Sequence, residues 1–318
     1  MIIISNPSVD VLVLNYNGAN FIQDCLSSLK QTNYDNVNFF IFDNGSTDAS
    51  CSIIRDIMPK AVLFHVNNNL GFTKGANQAI SEILSISNSK YLMFLNNDIT
   101  ITDPNWLLKL VAIAESDETV GIIGCKLLYP DDTIQHAGIQ FWPDIHRGVS
   151  QPHTHYSQIE EVKAVTGACM FLKVQLLQII GGFDELFSPF YYEDSDLCFR
   201  ARKTGFKVVY AGNLSLRHSE SKTILNTSHR NSIFLRNKLV FYLRYAPFVV
   251  VLSSILKGYL SLIVKIKDWR KPVAFNNIEL NLSLASFISL PVRFITTTKI
   301  IFVAFCSYRT SSIRLFSN

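Results

Sequence analysis

Glu193, Asp194 and Asp196 fall within four positions of one another, directly after the aromatic run Phe190-Tyr191-Tyr192. Crowded carboxylates repel, so such a cluster persists only where something holds it. A helix N-terminus would do so, because its dipole favours negative charge. A carboxylate held against an aromatic wall can act as a general base. Apolar burial raises its pKa and the dipole lowers it. The stretch DSDLCFRARKTGF predicts a short helix with Asp194 or Ser195 near its N-cap. Leu197, Cys198 and Ala201 would line the inner face, and Gly205-Phe206 would form a Schellman-type stop. Simple capping explains one acid but not all three.

Asp98 ends the run YLMFLNNDI, behind Asn96 and Asn97. A hard divalent cation takes oxygen ligands, often one or two carboxylates plus substrate phosphates. Asn-Asn-Asp is also ordinary turn chemistry. In DNGSTD, Asp43 can accept hydrogen bonds from a ligand such as a base or ribose, while Ser46, Thr47 or Asp48 can cap the helix that follows. His218 follows an apparent strand, and His136 lies in IQHAGI. A lone histidine is more often structural than a ligand, and both carry that reading on the residues alone.

These side chains need elements to position them. VDVLVLNYNG, VNFFIFDNGSTD, AVLFHVN and KYLMFLNNDITI read as buried strands, each feeding a polar loop. FIQDCLSSLKQT, SIIRDIM, GFTKGANQAISEILSI and NWLLKLVAIAE read as helices between and after them. Such alternation predicts an α/β fold with a mostly parallel sheet covered on both faces. In open α/β sheets ligands bind at the carboxyl ends of the strands, where these polar loops lie. From residue 125 the pattern changes to short strands and turns, then VTGACMFLK and a helix stopped by Gly181-Gly182.

Charge divides the 318 residues unevenly. Residues 1–220 hold 15 Lys and Arg against 23 Asp and Glu, whereas residues 221–318 hold 14 basic and 2 acidic residues. That asymmetry predicts two functional regions. The six cysteines are scattered without a C-x-x-C pair and read as reduced thiols. The start MIIISNPSVD lacks the basic n-region of a signal peptide. In the basic region, 246–271 is strongly apolar, but Ser254, Gly258, Ser261 and Lys265 mark a polar stripe and Lys257 would sit mid-span. A central lysine costs about 2.5–3.5 kcal/mol on insertion scales. Residues 284–306 are interrupted by Pro291, Arg293 and Lys299. The expectation is therefore amphipathic helices lying on an anionic membrane surface, with a buried hairpin or a true span as alternatives.

The ordered set NYNG, DNGSTD, NLGFTKGAN, LNND, TGACMFLK, GGFDE and YYEDSDLCFR resembles the family 2 inverting glycosyltransferases of GT-A fold, over roughly residues 8–245. Within them it resembles the bacterial rhamnosyltransferase-like branch of O-antigen and capsule assembly. The resemblance implies a GT-A catalytic domain over 1–235, with a nucleotide-sugar half to about 125 and an acceptor half beyond it. Residues 236–318 would be the membrane-associating region. It implies that Asn15, Asn17, Asp43, Gly71, Phe72 and Asn97 border the nucleotide sugar, and that Asp194 is the catalytic base. Tyr192, Glu193 and Asp196 would line the acceptor cleft. Asp98 and His218 would attend Mg²⁺ or Mn²⁺ on the diphosphate. Asn96 stands where the D-x-D-type metal motif has its first Asp, a departure that bears on metal affinity. The Q-x-x-R-W motif of processive synthases is absent, which implies a single transfer per binding event. The partners implied are a nucleotide-diphosphate sugar and a glycan or polyprenyl-linked acceptor, at the cytoplasmic face of the bacterial inner membrane. Nucleic acid is not among them.

Two other classes compete. A nucleotide-sugar pyrophosphorylase would need a Gly-rich loop bearing Arg or Lys after the first strand, and NYNGANF has no basic residue. A non-catalytic membrane-associated sugar-nucleotide binder would account for the basic region but not for the ordered acids.

Overall fold

A computed structural model describes residues 6–142, 144–219, 227–251, 253, 274–275 and 278–279. The chain divides into two compact units, Met1–Ile224 and Leu225–Asn318. In the first, strand and helix alternate as β1 (Val9–Asn15), α1 (Ile22–Leu29), β2 (Val37–Asp43), α2 (Ser50–Ile57), β3 (Val62–His65), α3 (Phe72–Ile86) and β4 (Tyr91–Asn96). There follow β5 (Ile99–Thr100), α4 (Trp106–Ser116), β6 (Val120–Leu128), β7 (Ile134–His136), β8 (Ile139–Gln140), β9 (Ile145–His146) and β10 (Ile159–Glu161). The unit closes with β11 (Cys169–Lys173), α5 (Val174–Ile180), a short 3₁₀ turn, α6 (Glu193–Lys203) and β12 (Lys207–His218).

The main sheet runs β10-β12-β6-β11-β4-β1-β2-β3, with β5 on β12 and β7 on β6. Strands β3, β2, β1 and β4 are mutually parallel. Strand β11 is inserted antiparallel between β4 and β6, and β12 returns parallel to β6. This is the mixed but mostly parallel sheet of the GT-A expectation. β1 is buried at every position, as a central strand covered on both faces must be. Val9, Val11 and Val13 meet α1 and α4 through Ile22, Leu26, Trp106 and Leu110. Leu12 and Leu14 enter the opposite core with Ala76 and Ile80 of α3, Leu176 of α5 and Leu197 of α6. Alternating side chains along one strand therefore fasten helices to both faces.

Helix α6 follows its sequence closely. Leu197, Cys198 and Ala201 are fully buried. At its end Phe206 N–H donates to Ala201 O (3.1 Å) and Gly205 N–H to Arg202 O (3.2 Å), the paired bonds of a Schellman stop. Gly205 has φ +89°, which only glycine adopts without strain. The start differs from expectation. Tyr192 is the cap residue, so Glu193, Asp194 and Asp196 all lie in the first turn.

The second unit contains α7 (Thr227–Tyr245) and a small antiparallel pair, β13 (Ala274–Phe275) with β14 (Ile278–Glu279). Helix α7 runs through residue 235, where the sequence reading placed its boundary. Among the described residues no helix is long and apolar enough to cross a membrane. The amphipathic helices expected over 246–271 and 284–306 lie almost wholly outside the described residues. The five described cysteines are free thiols.

Candidate active site

The carboxyl ends of β1, β2 and β4 lie side by side because these strands are parallel and adjacent. Asn15 and Asp43 are register partners at the last positions of β1 and β2. Asn15 Nδ2 donates to Asp43 Oδ2 (2.7 Å), and Asn97 Nδ2 donates to Asn15 Oδ1 (2.8 Å). Gly18 permits this chain of amides. A Cβ there would stand 2.2 Å from both Asn15 Oδ1 and Asn97 Nδ2.

Asp43 is fully buried and also accepts from Ser46 N–H (3.0 Å) and from His65 Nδ1 (2.9 Å). Burial alone would raise its pKa, but the hydrogen bonds from Ser46, Asn15 and His65 outweigh it and hold the carboxyl below its ordinary value. Cys51 joins Asp43 and His65, with ligand atoms within 4.8 Å of one another. The cap residue of α2 is Ala49, not Ser46, Thr47 or Asp48, and Asp48 just before it accepts from Ser50 N–H (3.0 Å) and from Ala19 N–H (2.9 Å). Asn17, at φ +47°, donates its N–H to Ser46 Oγ (2.8 Å), and its side chain accepts from Thr47 N–H (2.9 Å). The loops after β1 and β2 thus form one tied rim.

Gly71 has φ +80° at the start of α3, and a Cβ there would meet Pro189 Cβ at 3.0 Å. Thr73 N–H donates to Pro189 O (3.1 Å), fastening α3 to the segment that leads into the acids. Phe72 packs on Phe94 and Phe183, with centroids 5.6 and 6.0 Å away. Beyond Pro189, Tyr191 and Tyr192 stand consecutively at φ +77° and +73°. Left-handed backbone at two aromatic residues costs about 1–3 kcal/mol each and persists where surroundings overdetermine it. Tyr192 OH donates to Asp144 Oδ2, which helps to hold it.

The three acids of α6 have three different environments. Asp194 is partly exposed. Its Oδ2 accepts from Gly167 N–H (2.9 Å) and its Oδ1 from Ser195 N–H (2.6 Å), so its orientation is set by backbone. Glu193 is buried, with Oε2 lacking a hydrogen-bond partner among the described residues. Burial first, and then the neighbouring charge of Asp194, push its carboxyl well above the usual range. Asp196 is fully buried and ion-paired with Arg200 Nε at 2.7 Å. Arg200 also donates to Ile180 O and Gly182 O. The geometry therefore assigns Asp196 to anchoring α6 on the Gly181-Gly182 turn, in place of the acceptor cleft expected from sequence.

Asp98 lies just past β4, buried, with its Oδ1 3.1 Å from His218 Nε2. Register brings them together, because β5 pairs antiparallel with the end of β12 and sets His218 opposite Ile99. A six-coordinate ion with bonds of about 2.1 Å holds adjacent ligands about 3 Å apart. A carboxylate oxygen and an imidazole nitrogen at this separation fit a Mg²⁺- or Mn²⁺-sized ion. On the far side of the ring, His218 Nδ1 lies 2.5 Å from Gln135 Oε1. His136 is fully enclosed, with Thr166 N–H 3.3 Å from its Nε2. Burial and the nearby His146 and Arg147 charges keep its pKa well below the ordinary value, so it is a neutral structural histidine.

One hydrogen-bonded chain joins these parts. Asn96 N–H donates to Ala168 O (3.0 Å), and the adjacent Gly167 holds Asp194. Asp98 and Asp194 are thereby fixed to a common edge of the sheet, to which Asn97 and Asn15 tie Asp43. A separate groove lined by Ser89, Lys90, Lys173 and Phe206 opens at the amino end of β4, away from these acids. Sequence reading missed Gln135, His65, Gly18 and Gly167. The first two are polar residues in or at the end of strands, and only pairing between distant strands reveals their partners.

Residues 10–178 match the family described as Glycosyl transferase family 2. The chain is 30% identical over 228 residues to the O-antigen biosynthesis protein RfbC of Myxococcus xanthus, a match covering 68% of this chain and 17% of that protein. The chain thus spans under a fifth of that relative's length. It is 22% identical over 239 residues to the N-acetylglucosaminyl-diphospho-decaprenol L-rhamnosyltransferase of Mycobacterium tuberculosis, covering 66% of this chain and 76% of the relative. Among solved structures, the mannosyltransferase PcManGT from Pyrobaculum calidifontis, in complex with GDP-Man and Mn²⁺, superposes with a TM-score of 0.57 at 17% identity. That likeness covers 94% of this chain and 86% of that one. TarS of S. aureus in complex with UDP-GlcNAc gives a TM-score of 0.57 at 13% identity, covering 87% and 97%. Both likenesses are of fold.

Proposed function

The chain belongs to glycosyl transferase family 2, and from that membership we propose that it moves one sugar from a nucleotide-diphosphate sugar to a glycan or lipid-linked glycan, with inversion at the anomeric carbon. The observation that carries this reading is the placement of Asp194, partly exposed and held by two backbone N–H groups, on the same sheet edge as the Asp98–His218 pair. Asn15, Asn17 and Asp43 form the rim that would receive the nucleoside, with Gly71 and Phe72 beside it. Tyr192 and Glu193 border the acceptor side.

In the proposed reaction Asp194 takes the proton of an acceptor hydroxyl. The hydroxyl oxygen forms a bond to the sugar C1 from the face opposite the diphosphate. The C1–O bond to phosphate breaks, its electron pair leaving with the nucleoside diphosphate. General-base help of this kind is worth about 10²–10⁴-fold. Asp98 and His218 would hold Mg²⁺ or Mn²⁺, which supplies charge neutralisation to the departing diphosphate. Glu193, held towards its neutral form by burial, is poorly suited to be the base. Rhamnose is the donor sugar to test first, since the mycobacterial relative is a rhamnosyltransferase by name.

Incubating the protein with a panel of nucleotide sugars and candidate acceptors should release free nucleoside diphosphate and yield an inverted product. Pyrophosphate formed from a sugar phosphate and a nucleoside triphosphate would instead identify a pyrophosphorylase. Binding of nucleotide sugar with no turnover on any acceptor would leave the non-catalytic reading standing.

The charge of the C-terminal region supports a proposal about location. Residues 221–318 carry 14 basic residues against 2 acidic ones, and we place this region against anionic lipid, beside a lipid-linked acceptor. Each well-placed Lys or Arg adds about 1 kcal/mol of attraction at such a surface. The chain should sediment with vesicles containing anionic lipid, less so with zwitterionic ones, and part of it should be released by high salt. Equal partition to both vesicle types would remove charge from the explanation. Release by detergent alone would favour a span.

A further inference from the structure

The structure assigns a positioning role to Gln135, which no motif in the sequence singles out; the assignment rests on Asp98 and His218 being the cation-holding pair proposed above. Gln135 is the central residue of β7, and β7 is held to the edge of β6 by the pairs Leu127–His136 and Leu128–Ile134. That pairing brings its side chain against the ring of His218, at the end of β12 on the other side of β6. Gln135 Oε1 and His218 Nδ1 are 2.5 Å apart, and His218 Nε2 faces Asp98 Oδ1 at 3.1 Å.

An amide carbonyl oxygen is only an acceptor. With that oxygen against Nδ1, the ring must carry a proton on Nδ1. In the neutral ring the Nε2 lone pair is then directed towards Asp98, where a divalent cation can share it with the carboxylate. If the amide were turned over, its N–H would meet Nδ1, the ring proton would sit on Nε2, and Nε2 could not ligate. Gln135 thus selects the tautomer that can bind metal, as the outer partners of metal-bound histidines commonly do.

A second observation concerns the other end of the amide. Gln135 Nε2 is buried and has no hydrogen-bond partner among the described residues. Buried donors are rarely left so, and an unpaired one is costly. The carbonyl oxygen, and not this N–H, is the end turned to His218.

The test reads metal binding, not turnover. Mn²⁺ is titrated into the full chain without nucleotide, and free Mn²⁺ is followed by electron paramagnetic resonance. Gln135→Met keeps an unbranched side chain of similar length and removes the acceptor. It should weaken Mn²⁺ binding by about 10-fold or more, the usual scale for losing such a partner. Gln135→Glu retains an acceptor oxygen and has no N–H, so it should bind Mn²⁺ at least as tightly as the wild type. Melting temperatures of the variants report whether the fold is intact, and a Glu variant that binds well shows that position 135 acts through its oxygen. A Met variant with unchanged affinity would overturn the assignment, as would a Glu variant as weak as the Met one. Those results leave the transferase reading untouched, since it is tested separately by nucleoside diphosphate release. A wild-type chain without saturable Mn²⁺ binding overturns both the role of Gln135 and the metal site beneath it.

Discussion

Asp194→Asn should lower the rate of sugar transfer by at least about 10²-fold, the lower end of general-base catalysis, while nucleotide affinity changes little. Asparagine keeps the shape but only one acceptor oxygen, so it can retain one of the two backbone bonds, from Gly167 or from Ser195, and gives up the other. What is lost is the capacity to take a proton from the acceptor hydroxyl. Single-turnover rates at saturating donor, with binding measured separately, check this directly. The neighbours provide internal controls. Glu193→Gln replaces a carboxyl already biased to its neutral form, and should cost much less. Asp196→Asn removes the partner of Arg200 at the back of α6, so its main effect should be a lower melting temperature. An Asp194→Asn enzyme with near wild-type turnover would transfer the role of base to another group.

Chelation should abolish transfer, and added Mn²⁺ or Mg²⁺ should restore it. Asp98→Ala should weaken donor binding and reduce turnover together, because the ion would bind both the protein and the departing diphosphate. His218→Ala should shift the preference towards Mg²⁺, whose ligands are oxygens, and away from Mn²⁺, because it removes the nitrogen donor. Asn96 bears on this experiment, since an amide stands where the related motif has its first carboxylate. Full activity in chelator would mean that basic side chains, not an ion, hold the diphosphate.

Much of this architecture was legible in the order of residues. The first four strands and the helices between them show as apolar runs and helical spacing, because burial on both faces of a parallel strand leaves a continuous hydrophobic signature. The Schellman stop at Gly205-Phe206 was readable for the same local reason. A left-handed residue followed by an apolar contact is a feature of adjacent positions. The polar loops after β1, β2 and β4 also marked the site edge, since parallel neighbours place their carboxyl ends together.

The three acids after Tyr192 mark where the limit lies. Their sequence identifies a cluster but not its division of labour, since all three share one helix turn. Rotation about that turn decides the matter. It directs Asp194 to the Gly167 backbone, buries Glu193, and sends Asp196 to Arg200. Histidines 136 and 218 make the same point, being alike in sequence as lone rings beside strands. His136 is enclosed and neutral, whereas His218 meets Asp98 because β12 crosses to pair with both β6 and β5.

By itself, then, the sequence determined the alternation of elements, the loops that carry polar residues and the charge contrast between its two regions, all of which depend on neighbours along the chain. The tertiary structure alone decided which carboxylate stays partly exposed, which histidine faces a carboxylate and which amide stands behind it. Those outcomes depend on strand register and helix rotation, and in a β-sheet one residue of register exchanges the face of every side chain.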